Sequence, residues 1–450
     1  GGEGADTVIF NGNRADYTVG HEDSHGRFKI MHIETGESNY VYDDVETVQF
    51  ADQSFATFTD GNPIFSLVNA VTASNEIRGT SRSETLDGTN GVDHIWGEGG
   101  HDIINAGAGN DIIEGGTGND TLKGGEGNDN FIQHAGDGYD TFQGGAGVDT
   151  VSRGSGDGNI GVKGHFDASN SIETIDAGDK DIVGDGSNQT LDFSQTNLEN
   201  VGQIRGEGGH DSIIGTAGND TIVGGTGNDT LKGGEGNDSF IQHAGDGYDT
   251  FQGGAGVDTV SRGSGDGNIG IKGHFDASNS IETIDAGGKD IVGDGSSRTM
   301  DFSSTTLENV GQIRGEAGHD TIIGTAGNDI IAGGTGNDTL TGGEGNDQFI
   351  GGVGNDKAYG ETGNDTYIMN PLDGSDYFSG GEGGGWTDVI DISAVVANDP
   401  DSPWSVEVDG VQLEYDIATS ALELNPDTAG VITFGDGSEL SFNGVERIEW

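Results

Sequence analysis

The sequence predicts an all-β fold made of stacked coils, and three observations predict it. A nine-residue motif, GGxGxDxUx with U a large apolar residue, recurs in tandem, as in GGTGNDTLK and GGEGNDNFI over residues 115–132. A long unit holding several copies is duplicated almost unchanged, so that 206–261 match 97–152 and 262–314 match 153–205. The segments at both ends alternate polar and apolar residues, and no stretch shows convincing helical periodicity.

The motif explains its own shape. Six glycine-rich residues closed by an aspartate make a tight turn, because glycine reaches backbone angles closed to other residues. The next three make a short strand whose middle residue points inward. Two motifs complete one coil, and stacking sets each aspartate turn above the one two motifs away. Carbonyl oxygens and a carboxylate then share one space. Hard oxygen donors of this kind suit calcium, which accepts six to eight oxygens in flexible geometry. Aspartates on adjacent coils, about 4.8 Å apart, repel by about 1 kcal/mol in water and about 3–4 kcal/mol at an effective dielectric near 20. A column of them opposes stacking unless cations intervene, so metal binding and folding are expected to be one event.

Composition agrees. Acidic residues number 78 against 18 basic, a formal charge of −60, and 88 residues are glycine. Low hydrophobicity at such charge would ordinarily mean disorder, but internal repeats are the stronger guide. The acidic surface disfavours nucleic acid and anionic membranes as partners, since their phosphates would be repelled. There is no cysteine, hence no disulfide framework or thiolate metal site. No apolar run approaches a membrane span. No initiator Met or signal peptide is present, and Gly1 opens inside a copy of the motif, GGEGADTVI. The chain therefore reads as part of a longer protein.

In order, residues 1–58 finish an earlier repeat and continue as β-strands (ADYTV, GRFKIMHIE, VETVQFADQSF), and 59–78 bridge to the first cluster. That cluster, 79–152, opens on a degenerate copy with Glu84 in place of the aspartate. It points Ile104, Ile113, Leu122, Phe131, Phe142 and Val151 inward. Residues 153–205 lack the motif. Their apolar pairs, Ile172/Ile175, Ile182/Val183, Leu191/Phe193 and Val201/Ile204, recur at close to the spacing of the motif itself, so they read as solenoid continuing without metal. A second cluster (206–261), a second spacer (262–314) and a third cluster (315–393) follow, then a β module over 394–450. Its ending, VERIEW, echoes VETVQF at 45–50. Each coil should touch mainly its neighbours.

The tandem copies at 88–132, 206–241 and 315–368 resemble the RTX (repeats-in-toxin) family. The resemblance implies a right-handed parallel β-roll, a β-solenoid array flanked by small antiparallel β modules, with several calcium ions at its turns. It also implies export through type I secretion from a Gram-negative cell, with folding outside. The duplicated unit is similar to those of large RTX surface adhesins and S-layer-type proteins. Carrying the ligand role over gives Asp93, Asp102, Asp111, Asp120, Asp129, Asp140 and Asp149 in the first cluster. The second supplies Asp211, Asp220, Asp229, Asp238, Asp249 and Asp258. The third supplies Asp320, Asp329, Asp338, Asp347, Asp356, Asp365 and Asp376. Two-residue interruptions before Ala135, Ala244 and Pro371 are expected to shift register. Ser375 and the broken copy at 380–393 weaken the last sites, and copies at cluster ends have a partner on one side only.

Other chemistries fit less well. Phosphate binding would need a helix start or a loop lysine. His101, His210 and His319 occupy equivalent places in successive units, too far apart along one solenoid to meet, and read as exposed turn residues; His165 and His274 read as structural. Threonine is missing from most copies, which breaks the row an ice-binding face needs. No nucleophile elbow or zinc-protease motif appears. The function expected is a non-catalytic structural or adhesive segment, extracellular or on the cell surface, whose partners are calcium and either further copies of itself or surface glycans. The alternatives are the carboxyl-terminal repeat region of a secreted enzyme and a carbohydrate-binding module using Trp386, Trp404 or Trp450. Core packing is the plainer role for those tryptophans.

Overall fold

The computed structural model describes residues 75–381, 384–398, 404–415 and 419–450, together with six short strands at 7–9, 17–21, 28–32, 38–41, 47–49 and 55–57. It is all-β, a parallel β-solenoid of about 16 turns with almost no helix. The chain packs as two units. One reaches to Ile132 and takes in Phe142–Thr150; the other holds Gln133–Thr141 and continues from Val151 onward.

In the first unit the nine-residue motif builds two parallel sheets. Strand Ile103–Ala108 pairs with Thr85–Asp87 on one side and Thr121–Glu126 on the other, setting Leu86, Ile104 and Leu122 in line. On the opposite face Asn75–Arg78, Asp93–Trp96, Ile112–Glu114 and the following strand align Ile77, Ile95, Ile113 and Phe131. Each partner lies two motifs along the chain, as the stacking of coils requires. Side chains alternate along a strand, so one residue per motif turns inward. The whole expected inward set, Ile104 to Val151, is buried.

In the second unit the ladder persists while the coil changes size. One line runs Ile160, Ile182, Ile204, Ile222, Phe240, Val260, Ile284 and Leu307. Coils in the spacers are longer than those of the clusters, since Ile160 meets Ile182 and Thr174 meets Asn197. The surplus forms a 3-10 turn at Ala168–Asn170, capped by Asp167, and its copy at Ala277–Asn279. All the apolar pairs expected in 153–205 are buried except Val201, which is half-buried. It lies opposite Lys180 where the pairing with Thr174–Gly184 is irregular. The two-residue interruptions do not shift the register. They lengthen the coil by the inserted pair, and Leu231 still faces Phe251 and Ala358 still faces Phe378.

The last strands extend the stack. Ala421–Thr433 pairs antiparallel with Glu439–Glu449. That last strand pairs in parallel with the final roll strands, Phe378 against Phe442 and Ile390 against Ile448. Near the start of the chain Thr47–Gln49, within VETVQF, pairs in parallel with Thr7–Ile9 of the earlier repeat. The echo between the two sequences is thus an echo of pairing. Tyr17–His21, Phe28–His32 and Ser38–Val41 form an antiparallel meander. One departure from the sequence reading is a short helix, Ser393–Asn398. Trp404 is buried, stacked on Tyr415 at 3.8 Å and beside Trp450 at 5.2 Å, which is core packing.

Candidate metal centres

The turns are shaped by contact between coils. In the copy opening at Gly115, Gly116 and Gly118 have φ of 82° and 144°, a region that side chains avoid. A Cβ on Gly118 would overlap the carbonyl oxygen of Gly100 on the preceding coil. The first glycine of each motif has another constraint. A Cβ on Gly97 would crowd both Asp102 Oδ2, at 2.6 Å, and the carbonyl oxygen of Gly115, at 2.3 Å. The same pair of oxygens crowds Gly124 (Asp129 and Gly144), Gly206 (Asp211 and Gly224) and Gly333 (Asp338 and Gly351). A carboxylate oxygen and a carbonyl oxygen from the next coil therefore converge on a space that glycine keeps open.

The aspartates stand in columns. In each column, Oδ1 of every aspartate after the first accepts the backbone N–H of the aspartate one coil earlier, at 2.7–2.9 Å. One column runs Asp93, Asp111, Asp129, Asp149, with Asp102 and Asp120 on the other edge. In the second unit the columns are Asp211, Asp229, Asp249 and Asp220, Asp238, Asp258. The third cluster gives Asp320, Asp338, Asp356, Asp376 and Asp329, Asp347, Asp365.

The second carboxylate oxygen is the informative one. In Asp102, Asp111, Asp129, Asp211, Asp229, Asp238, Asp258, Asp320, Asp338, Asp347, Asp356 and Asp365, Oδ2 is buried and has no hydrogen-bond partner. An unsatisfied buried charge is among the costliest arrangements a fold can hold. The titration behaviour reflects it. Burial, partly offset by the backbone hydrogen bond, pushes Asp129, Asp211, Asp347 and Asp356 up to about 7. Asp229, Asp238, Asp320 and Asp365 rise to about 6 for the same cause. Carboxylate and carbonyl oxygens gathered in one glycine-lined space fit a hard divalent cation. Among the described residues no three His, Cys, Asp or Glu side chains cluster as a metal site. The oxygens that converge on the glycine-lined space include backbone carbonyls as well as carboxylates.

The model of the RTX calcium-binding nonapeptide repeat matches residues 78–113, 106–132, 134–160, 205–240, 243–269, 312–340 and 332–367. These clusters are RTX calcium-binding repeats. Such repeats bind calcium ions at multiple sites. No curated protein matches the chain. A crystal structure of the extracellular lipase LipA from Serratia marcescens aligns at 21% identity over 59% of this chain and 43% of the lipase chain, with a TM-score of 0.17. The alignment thus spans less than half of that enzyme.

Six RTX aspartates differ from those twelve, because protein donors meet their Oδ2. Thr89, Thr216 and Thr325 each donate a backbone N–H and a hydroxyl to Asp93, Asp220 and Asp329, at 2.6–3.0 Å. Gln133 and Gln242 donate side-chain amides to Asp140 and Asp249 at 2.7 and 2.8 Å. The Tyr367 hydroxyl donates to Asp376 at 2.9 Å. Asp249 is nonetheless pushed up to about 8, chiefly by burial.

The structure adds column members that the motif did not reveal. Asp388, inside the broken copy, accepts the Asp365 N–H at 2.8 Å, and its own N–H goes to Glu446. Glu282 ends another column by accepting from Asp258. WTDVI within GGEGGGWTDVIDIS keeps the aspartate two residues before an apolar one, which was the available signal. Gln189 and its copy Arg298 start two columns, donating N–H groups to Asp211 and Asp320 at 2.7 and 3.0 Å. No pattern in the sequence marked them. A second ladder runs beside the first. The fifth-position residue, Asn or His, accepts the N–H of its counterpart one coil later, as in His101 to Asn119, His210 to Asn228 and His319 to Asn337. Those histidines are exposed turn residues acting as asparagine equivalents. Ser375 fits this ladder too, donating to Asn355.

Proposed function

We propose that the chain is a calcium-rigidified, non-catalytic structural segment of a secreted RTX protein, working outside a Gram-negative cell as part of a surface layer, filament or adhesin. The observation that carries this reading is the near-exact duplication of the long unit, which repeats the same buried aspartate columns and the same spacer without the aspartate motif. A single catalytic site gains nothing from a second, near-identical copy, whereas a spacer or lattice gains length and a repeated surface. Coupling to calcium suits export. Unfilled and ionised, the columns oppose stacking and the repeat clusters stay unfolded; filled outside the cell, they lock. Further copies of the chain are the partner this surface would repeat toward, and surface glycans are the other candidate.

Electron microscopy of the intact protein tests the reading. Calcium should produce ordered layers or filaments, and chelation should dissolve them. Compact, unassembled particles in saturating calcium would overturn it. Magnesium should substitute poorly, because it demands a smaller, near-octahedral shell.

A further inference from the structure

The six aspartates whose Oδ2 meets a protein donor are not scattered. Asp93, Asp220 and Asp329 head their columns, and Asp249 and Asp376 end theirs. We propose that the chain closes its own column ends, filling with a threonine, a glutamine amide or a tyrosine hydroxyl the places at Asp93, Asp140, Asp220, Asp249, Asp329 and Asp376, and so confines calcium to the column interiors. The proposal rests on the reading of the columns as calcium sites.

Geometry supports it in each case. Gln133 is almost fully buried. Its Nε2 donates to Asp140 Oδ2 at 2.7 Å, to the Gly161 carbonyl at 3.1 Å and to the Gly138 carbonyl at 3.3 Å, while Oε1 accepts the Gly161 N–H at 2.7 Å. One amide thus gathers a carboxylate and two carbonyls, the oxygen set a calcium would collect. Gln242 repeats every contact in the duplicated unit, with Asp249, Gly270 and Gly247. The interruption that follows GGEGND and its strand therefore has a purpose: it inserts the glutamine. Tyr367 is fully buried at the inward position of its motif, where its hydroxyl reaches Asp376. The threonines replace the motif's second glycine, and their N–H and hydroxyl hydrogens point at the oxygen a cation would need. A hydrogen-bond donor and a cation compete for the same lone pairs. At a column end a neighbouring coil supplies ligands from one side only, so an ion there gains least and an internal donor suffices.

The test is a crystal structure of the full chain grown in calcium, with ions located by anomalous scattering at long wavelength. Peaks are expected beside interior aspartates such as Asp111, Asp229 and Asp347, and none beside the six closed ones. Peaks beside those six would overturn the proposal and leave the column reading intact. Absence of peaks beside every aspartate would overturn both. Tyr367→Phe removes one hydroxyl and preserves the ring. By equilibrium dialysis it should bind one calcium more than the unaltered chain, and an unchanged count would overturn the assignment at Asp376.

Discussion

Asp347 holds two coils with one side chain. Its Oδ1 accepts the Asp329 N–H at 2.8 Å, and its Oδ2 lies buried without a hydrogen-bond partner. Asp347→Asn keeps an acceptor for the N–H and removes the charge. The variant should need a higher calcium concentration to fold, by circular dichroism titration, and should bind fewer ions; an unchanged midpoint would count against Asp347 as a ligand. Gly118→Ala attacks the corresponding turn of the first cluster from the backbone. It places a Cβ at positive φ against the Gly100 carbonyl, and should destabilise the roll by about 1–3 kcal/mol or more in calcium-saturated denaturation. Arg298 makes a sharper case. Its buried guanidinium donates to the carbonyls of Ile271 (3.0 Å) and Ser296 (2.7 Å) and pairs with Asp294. Gln189 builds the same coil in the first copy, donating to the Gly164 carbonyl at 2.6 Å. Arg298→Ala should therefore cost about 3–5 kcal/mol, as expected for breaking a buried ion pair. Arg298→Gln should cost much less, because that side chain already fills the equivalent place.

At the scale of the coil, one inward residue per motif carries the core, and aromatic pairs thicken it where the ladder is interrupted. Phe131 meets Phe142 edge-on at 5.8 Å, and Phe240 meets Phe251 in the same way. Strand periodicity and the stacking of every second motif were legible in the sequence because both follow from backbone geometry alone. The inward set and the columns came with them. The closed column ends were not legible, since a Thr for a Gly, or a two-residue insertion, acquires meaning only when the neighbouring coil shows what its donor touches. The spacers differ in chemistry. There Asp185, though partly buried, is held below its ordinary range by hydrogen bonds from Ser187 and Gly164, and Asn200 reaches Asp176 at 2.9 Å. Their carboxylates are met by the chain's own donors. Chelation should thus strip hydrogen-exchange protection from the coils of 206–261 while strands such as Thr283–Gly293 keep it. Equal loss in both would show that the spacers cannot stand without the ion.

For the whole molecule the decisive quantity is charge: 78 acidic residues against 18 basic, with many carboxylates buried in columns. Protons and calcium compete for the same oxygens. Burial lifts Asp129, Asp211, Asp347 and Asp356 from the ordinary 3.8 to about 7 in the folded chain without metal. That folded state therefore binds more protons than the unfolded one. Its stabilisation from these groups is full below the unfolded value near 3.8 and is lost as pH rises through about 7. In chelator, the chain should be most ordered near the acid end of this window and should lose structure toward pH 8. With calcium the dependence reverses. Binding expels the protons, so affinity should fall as pH drops through about 7, and proton release should accompany each titration. Circular dichroism from pH 4 to 8, with chelator and with millimolar calcium, measures both curves. A chelated chain as ordered at pH 8 as at pH 4.5 would mean that the columns do not carry the electrostatic cost on which calcium-dependent folding depends.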